Sequence, residues 1–154
     1  MGIKSFIGKR SKLVKKVSEQ IKVSDYMTRN LITFYPKQSV LEVMNILIKN
    51  KISGGPVVNE KHELMGIISE GDCIKQISES RYYNQPLENI QVEHHMAKNV
   101  ETIDGAMNLF DAADKFLKSK RRRFPIVENG KLIGQISQKD ILKAALELKG
   151  NTWK

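Results

Sequence analysis

The sequence predicts an α/β fold built from two copies of one small unit. Three observations predict it. A short apolar strand that turns at a serine into a helix occurs at residues 64–73 and again at residues 132–141. Two prolines in short β-branched stretches, Pro56 and Pro125, lie 69 residues apart. Apolar residues at helical spacing precede both prolines at matching distances. Because neither copy, at roughly 60 residues, would bury much core alone, the copies are expected to pack together.

Each copy starts with a short strand and an amphipathic helix. Apolar residues recur at i, i+3, i+6 and i+7 in both helices, which predicts a buried stripe on each. The predicted stripes are Leu41, Met44, Leu47 and Ile48, and Phe110, Ala113, Phe116 and Leu117. Ser39 with Glu42 predicts a capping box at the first helix start, and Asn108 with Asp111 is its weaker equivalent.

Each copy then continues as strand, hairpin, strand and helix. The second hairpin contains Asn129-Gly130, the strongest short hairpin signal, and the first turn, residues 59–63, is one residue longer. The offset between the copies therefore falls from 69 to 68, which places Gly66 opposite Gly134. A repeat tolerates such a change because it is confined to a surface turn.

The 154-residue chain carries a net charge of +9 that is concentrated at its start. Residues 1–22 hold seven basic residues and one acidic residue, with an apolar stripe at Leu13, Val14, Val17 and Ile21. They are predicted to form a basic amphipathic leader helix that binds an anionic membrane or nucleic acid, or packs on the protein's own dimer. No apolar run approaches the ~20 residues that span a bilayer, so we expect a cytoplasmic protein.

These signals divide the chain into five segments. The expected order is the leader at 1–22, the first repeat at 23–79, a linker at 80–91, the second repeat at 92–150 and a tail at 151–154. The linker is polar and aromatic around Pro86, and a short lead-in helix is expected before the second repeat.

The serine-to-aspartate turn of each copy has two interpretations. Ser69 with Asp72, and Ser137 with Asp140, resemble capping boxes that do no more than start a helix. The same carboxylate could instead accept the hydrogen bonds of a ribose diol, while free amides at the helix start bind phosphate. The two uses are compatible, and the sequence leaves both open.

The basic run at residues 120–123 also has two interpretations. It is either a solvated run that suits a helix C-terminus or a phosphate clamp formed by Arg122 and Arg123. The matching stretch of the first copy has no arginine, and there Gly54 and Gly55 would let the backbone approach a ligand closely, with Ser53 and Gly54 as the candidate ligand-binding residues. The two sites are therefore expected to differ.

Other reactive residues point to no catalytic or metal site. His62, His94 and His95 have no acidic or cysteine partners at ligand spacing, so all three are expected at the surface. The lone Cys73 excludes an internal disulfide and is expected to be a small buried apolar residue. Met44 and Met65 are expected in the core, and the absence of a paired acid and base favours a protein that is not an enzyme.

The two ordered sets of motifs resemble a tandem pair of cystathionine-β-synthase (CBS) domains, a Bateman module. The matching pieces are residues 23–27, the two proline strands and the Gly-x-x-Ser-x-x-Asp turns, and the resemblance covers residues 23–149. It implies two repeats, each a small three-stranded sheet with two helices, packed as a pseudo-two-fold pair.

The resemblance also implies a function. Such pairs are regulatory modules that form homodimers and bind AMP, ADP or ATP, and less often NAD or S-adenosylmethionine, in clefts between the repeats. The ligand-binding residues that it implies are Thr33, Ser69, Asp72, Thr102, Arg122, Arg123, Ser137 and Asp140. We expect a stand-alone energy sensor that signals by dimer rearrangement to another protein. The alternatives are a structural adaptor without ligand, and a nucleic-acid or membrane-surface protein that uses the leader.

Overall fold

The computed structural model describes the backbone of residues 21–152 and the side chains of residues 21–149. The predicted leader therefore lies, apart from its last two residues, outside the described part of the chain. The described chain forms two compact units. The first-repeat unit consists of Asn30–Glu101 and Asn129–Leu132, and the second-repeat unit consists of residues 21–29, Thr102–Glu128 and the chain from Ile133.

The first-repeat unit contains two helices and a two-stranded antiparallel sheet. Its elements are α1 (Val40–Asn50), β1 (Gly54–Val58), β2 (Leu64–Ser69), α2 (Glu70–Tyr83) and the 3-10 helices Leu87–Asn89 and Val92–His94. Phe34 adds a one-residue parallel bridge to Val57 on the free side of β1. The predicted first strand of this repeat is thus reduced to a single bridge.

The second-repeat unit contains the full three-stranded sheet that was predicted. Its elements are the 3-10 helix Val23–Asp25, β3 (Ile103–Asp104), α3 (Leu109–Ser119), β4 (Arg123–Glu128), β5 (Lys131–Ser137) and α4 (Gln138–Thr152). The first two residues of β5, Lys131 and Leu132, belong to the first-repeat unit. The strand order is β3-β4-β5, and β3 runs parallel to β4 with Ile103 beside Ile126.

Both predicted starts of the amphipathic helices are present. Ser39 Oγ accepts a hydrogen bond from the amide of Glu42 at 3.1 Å, and Asn108 Oδ1 accepts one from the amide of Asp111 at 2.8 Å. Each cap satisfies one of the amides that a first helical turn leaves without a partner. The caps therefore set where α1 and α3 begin.

The buried faces of α1 and α3 differ from the predicted stripes. The fully buried residues are Val40, Val43 and Leu47 on α1 and Leu109, Ala112 and Phe116 on α3. Ile48 is 77% exposed and Leu117 is 81% exposed, so their predicted burial is wrong. Each helix has apolar residues over a broad arc, and periodicity alone does not reveal which edge of that arc faces the sheet.

Each unit has its own hydrophobic core. The core of the first-repeat unit is formed by Phe34, Val40, Val43, Leu47, Val57, Ile68, Cys73, Ile90 and Val92. The core of the second-repeat unit is formed by Val23, Met27, Ile103, Ala112, Phe116, Phe124, Ile126 and Ile136. Burial of Cys73 is confirmed. Met65 is 42% exposed, which contradicts its predicted core position, because alternate residues of β2 face away from the core.

The hairpins follow the turn signals. Asn129 and Gly130 both have positive φ, at 53° and 79°, as a type I′ turn in the predicted hairpin requires. In the longer first turn His62 has a φ of 63°, and the amide of Asn59 donates to the carbonyl of Glu63 at 3.1 Å. The extra residue of the first turn is thus accommodated within the hairpin.

The glycine inside each repeated strand permits a close backbone contact. A Cβ on Gly66 would lie 2.5 Å from the carbonyl oxygen of Ala97, and a Cβ on Gly134 would lie 2.8 Å from that of Thr28. The neighbouring residues form antiparallel bridges to the same two segments. A side chain at either glycine would therefore separate the strand from the segment that pairs with it.

The segment between the repeats is more helical than predicted. Helix α2 continues through Tyr83 and ends at Asn84, which has a φ of 51°, so residues 80–83 of the predicted linker are helical. The predicted lead-in is present as two short 3-10 helices. Within residues 21–152, none of the helices has the length and apolar character needed to cross a bilayer.

Candidate functional site

The ten predicted ligand-binding residues fall into two sets of five, one in each unit. We call Thr33, Ser53, Gly54, Ser69 and Asp72 the first-repeat site, and Thr102, Arg122, Arg123, Ser137 and Asp140 the second-repeat site. The structure thus assigns the residues of each site to one compact unit.

Sheet topology gathers the second-repeat site at one edge. Thr102 directly precedes β3, Arg123 opens β4, and Ser137 ends β5. Because β3 is parallel to β4, their starts share an edge, and β5 returns to that edge after a two-residue turn. The predicted threonine, arginine and serine therefore lie toward the same end of the sheet although they are distant in sequence.

The first-repeat site has the same arrangement. Gly54, which opens β1, is paired with Ser69, which ends β2. Thr33 precedes the bridge between Phe34 and Val57. A Cβ on Gly54 would lie 2.7 Å from the carbonyl oxygen of Ile68, so strand pairing alone requires this glycine, whether or not a ligand approaches it.

Each site contains a serine and an aspartate that are hydrogen-bonded to each other. Asp72 Oδ2 accepts from the amide and from the hydroxyl of Ser69, both at 2.9 Å, and the amide of Asp72 donates to Ser69 Oγ at 3.4 Å. The corresponding distances for Ser137 and Asp140 are 2.8, 2.9 and 3.2 Å. The helix-cap interpretation is therefore confirmed in both repeats.

The cap leaves part of each aspartate available. Within residues 21–149 the hydrogen bonds accepted by the carboxylates of Asp72 and Asp140 all end on Oδ2, so Oδ1 has no donor there. A carboxylate oxygen is an acceptor with two lone pairs, whereas each serine has already committed its hydroxyl hydrogen. Each site thus offers a fixed carboxylate oxygen that can accept from a ligand's hydroxyl groups.

The start of the following helix is tied to the start of the central strand. The amide of Gln138 donates to the carbonyl of Arg122 at 3.0 Å, and its side-chain amide donates to the carbonyl of Arg121 at 3.1 Å. In the first repeat the amide of Glu70 donates to the carbonyl of Ser53 at 2.9 Å. The backbone that carries the arginines is therefore held beside the Ser–Asp pair.

These bonds reduce the number of helix-start amides that a ligand could use. In α2 the amide of Glu70 is bonded to Ser53 and that of Asp72 to Ser69, so within the described chain the amide of Gly71 remains. The free amides predicted at the helix start are thus reduced to one. Phosphate binding at such an edge depends mainly on nearby cationic side chains.

The two sites differ in charge. Arg122 and Arg123 are exposed, and neither forms an ion pair with a residue in the 21–149 range. Lys139 follows Gln138 at the start of α4. The first-repeat site has no cation at these positions and has Glu70 at the start of α2. The two sites therefore carry side chains of different charge.

A lysine that the sequence analysis did not single out lies beside the second-repeat site. Lys115 Nζ donates to the carbonyl of Thr102 at 3.0 Å and lies 5.4 Å from the ring centroid of Phe124. The contact joins residues that are 13 apart in sequence and depends on how α3 packs on the sheet. No local motif predicts it.

Cys73 and His95 both have shifted pKa values. Burial, and then the carboxylates of Asp72 and Glu70, raise the pKa of the Cys73 thiol. Burial also lowers the pKa of His95, although Glu79 partly offsets that effect. His95 is half-buried, so its predicted surface position is wrong, whereas His62 and His94 are exposed. Within the described residues no three His, Cys, Asp or Glu side chains form a group that could hold a metal ion.

His95 occupies the position that Tyr26 has in the other unit. The side chain of Tyr26 is hydrogen-bonded to Glu147, and burial followed by that glutamate's charge raises the pKa of the phenol. Glu147 lies 68 residues after Glu79, the offset of the repeated helices. Each unit therefore has a polar ring whose pKa is affected by the equivalent helical glutamate, with histidine in one repeat and tyrosine in the other.

A model of the CBS domain matches this chain twice, at residues 23–79 and 91–147. The chain therefore belongs to the CBS domain family, as a tandem pair.

Comparison with individual proteins agrees with this assignment. The chain is 29% identical over 156 residues to the chloroplastic CBS domain-containing protein CBSX2 of Arabidopsis thaliana, with 84% of this chain and 66% of that protein covered. The crystal structure of CBSX2 in complex with AMP matches with a TM-score of 0.73 and 31% identity, covering 84% of this chain and 98% of that one. The CBS domain pair of MJ0100, crystallised with 5′-methylthioadenosine and S-adenosyl-L-methionine, matches with a TM-score of 0.66 and 26% identity, covering 82% of this chain and 96% of that one.

Some relatives are enzymes in which the matched segment is a part. Inosine-5′-monophosphate dehydrogenase of Aquifex aeolicus is 33% identical over 135 residues, which are 84% of this chain. The match spans 26% of that enzyme's length. CBS pairs thus occur among these relatives both as most of a protein and as a part of an enzyme.

Proposed function

We propose that this CBS pair is a non-catalytic regulatory module that binds adenine nucleotides or related adenosine compounds at the two Ser–Asp sites. The observation that carries the proposal is the geometry of the aspartates. In each repeat the cap fixes the carboxylate through Oδ2 and leaves Oδ1 as an acceptor beside the strand edge. The AMP complex of CBSX2, a relative with the same fold, supports the ligand class.

In the second-repeat site the ribose and the phosphate of the nucleotide each have a chemical partner. Asp140 Oδ1 accepts the hydrogen bonds of the ribose diol, and the guanidinium groups of Arg122 and Arg123 bind the phosphate. Arginine suits that role because its planar fork matches phosphate oxygens. Both arginines lie at the sheet edge that carries Ser137 and form no ion pair within the described chain, so they do not have to give up a protein partner.

The regulatory part of the proposal requires an assembly. We propose a homodimer that forms through the helices of each unit and responds to ligand by rearranging. In its support, each unit exposes apolar side chains at equivalent positions, Ile48 and Leu117 on the first helices and Ile74 and Leu142 on the second. In the first-repeat unit these helices border a groove of about 520 Å³. The ligand acts only if it prefers one arrangement of the dimer over another.

The first test is a thermal-melt panel with AMP, ADP, ATP, NAD, S-adenosylmethionine and GMP. A ligand present at ~100 times its dissociation constant stabilises a folded protein by about 2.7 kcal/mol. The proposal expects a rise of several degrees with at least one adenine compound and none with GMP. No shift with any compound would contradict it and favour the adaptor.

Nucleic-acid binding is the alternative that the exposed arginines also suit. It predicts that a labelled oligonucleotide binds with an affinity that falls steeply as salt rises. The control is the Arg122→Gln/Arg123→Gln variant. Salt-dependent oligonucleotide binding that this variant loses, together with a flat melt panel, would replace the proposed function with this alternative.

A further inference from the structure

We infer that the two sites select adenosine compounds by the charge of the 5′ group. The second-repeat site takes a phosphorylated compound, and the first-repeat site takes one without negative charge at the 5′ position. Glu70 is the specificity-determining residue of the first-repeat site. This inference rests on the proposed function and adds a ligand class for each site.

One backbone hydrogen bond occurs at equivalent positions in both repeats and relates the two sites to each other. Gln138 donates its amide to the carbonyl of Arg122, and Glu70 donates its amide to the carbonyl of Ser53. Ser53 is therefore the equivalent of Arg122. A nucleoside that binds Asp72 as we propose for Asp140 has its 5′ group near Ser53. Glu70 follows Ser69, and Gln138 follows Ser137. Each of these two residues lies beside the position of the 5′ group in its own site.

The charges near these equivalent positions have opposite signs. The second-repeat site has Arg122, Arg123 and Lys139, with Asp140 as its acidic group. At the corresponding positions the first-repeat site has Ser53, Gly54 and Gly71, with Asp72 and also Glu70 as acidic groups. Lys51 and Lys120, at the ends of α1 and α3, occupy equivalent positions. They therefore add the same charge to both sites and do not contribute to the difference.

A phosphate at the first-repeat site would therefore lie near the carboxylates of Asp72 and Glu70 without an arginine. The amide of Gly71 is the one first-turn donor left within the described chain, and a single neutral donor does not offset like-charge repulsion. Glu70 is exposed, so solvent and salt weaken its effect without reversing the sign. A 5′ group that is neutral or cationic avoids this penalty.

Aspartate-to-asparagine variants isolate each site. Asparagine keeps one carbonyl oxygen for the bonds to serine and puts an NH₂ group where Oδ1 stood, so the cap survives and the diol acceptor is lost. Asp140→Asn leaves the first-repeat site, and Asp72→Asn leaves the second. Each variant is titrated calorimetrically with adenosine, 5′-methylthioadenosine and AMP at constant ionic strength.

In Asp140→Asn only the first-repeat site is intact. We expect this variant to bind 5′-methylthioadenosine at least about tenfold more tightly than AMP, because the AMP phosphate has no arginine there to hydrogen-bond and is repelled by the carboxylates. Asp72→Asn should show the reverse order. Adding Glu70→Gln to Asp140→Asn should tighten AMP binding by about fivefold, the upper range for one exposed charge pair, and leave adenosine binding unchanged. The matched control, Gln138→Glu in Asp72→Asn, should weaken AMP binding by a similar factor.

Two results would overturn the inference. One is binding of AMP to Asp140→Asn as tight as that of 5′-methylthioadenosine. The other is an absence of binding of all three compounds to Asp140→Asn. Titration of the wild-type chain then separates the two proposals. If it binds an adenine compound, the proposed function stands without the inference. If it binds none, both are wrong.

Discussion

Ser69 and Asp72 hold each other in place through three hydrogen bonds, two of which end on the same carboxylate oxygen. Because one oxygen satisfies the cap, the other is free to act on a ligand without weakening the helix start. A helix cap and a ligand-binding carboxylate are therefore the same structure here. The repeat of this arrangement at Ser137 and Asp140 gives the chain two such sites.

The cap itself contributes to stability in the absence of ligand. Ser69→Ala removes the hydroxyl that donates to Asp72 and accepts from its amide, so we expect a loss of about 1 kcal/mol in the free energy of unfolding. Urea unfolding of the ligand-free protein measures it. Ser78→Ala, on an exposed position of the same helix, is the matched control and should be neutral. Equal stability of the two variants would show that the cap contributes nothing.

The strand glycine should tolerate no side chain. In Gly66→Ala the new Cβ would lie 2.5 Å from the carbonyl oxygen of Ala97, and relieving such a clash typically costs about 1–3 kcal/mol. The control is Gly71→Ala in α2, where the nearest atom, Ser69 Oγ, is 3.7 Å away. Alanine there should be neutral or stabilise by about 0.4–1 kcal/mol. Thermal unfolding compares the two, and a more stable Gly66→Ala would contradict the contact.

His95 should make stability depend on pH. Burial lowers its pKa in the folded protein below the usual 6.5, while Glu79 and Asp72 raise it, and His94 and Lys75 lower it further. In the pH window between the two pKa values the unfolded chain binds more protons, so stability is lost as pH falls through about 6.5 and levels off below the folded pKa.

His95→Tyr tests this directly, because tyrosine occupies the equivalent position in the other unit. We expect the urea midpoint of the wild type to fall between pH 7.5 and pH 5.5 by more than that of the variant. The exposed His94→Gln is the control and should keep the wild-type slope. If His95→Tyr retains the full slope, the pH dependence has another source.

Cys73 should be unreactive while the protein is folded. It is 3% exposed, and burial raises the pKa of its thiol, so little of the reactive thiolate is present at neutral pH. Ellman's reagent should react slowly with the native protein and within seconds after urea is added. A fast reaction with the native protein would mean that the first-repeat core opens readily.

The sequence predicted the features that are set by neighbouring residues. The caps at Ser39 and Asn108 and the turn at Asn129-Gly130 depend on local backbone chemistry, and all are present. The shared edge of Arg123 and Ser137 also follows from strand order alone. Both sites could thus be assembled from the repeat.

The features that the sequence did not reveal depend on tertiary packing. Ile48 and Leu117 are apolar and in phase with their helices, but the sheet lies against the adjacent face. Residues 23–29 lie within the first predicted repeat yet belong to the second-repeat unit, because Val23 and Met27 fill its core. His95 is half-buried by tertiary packing that no local pattern reports.

The most direct test of the account is a calorimetric titration of AMP into the wild-type chain and into Asp72→Asn/Asp140→Asn. Circular dichroism and urea unfolding establish that the double variant is folded. The account predicts binding to the wild type and a loss of about tenfold or more in the variant, since a hydrogen bond to a charged group contributes ~1.5–3 kcal/mol. Equal affinity of the two proteins would contradict the role of the Ser–Asp sites.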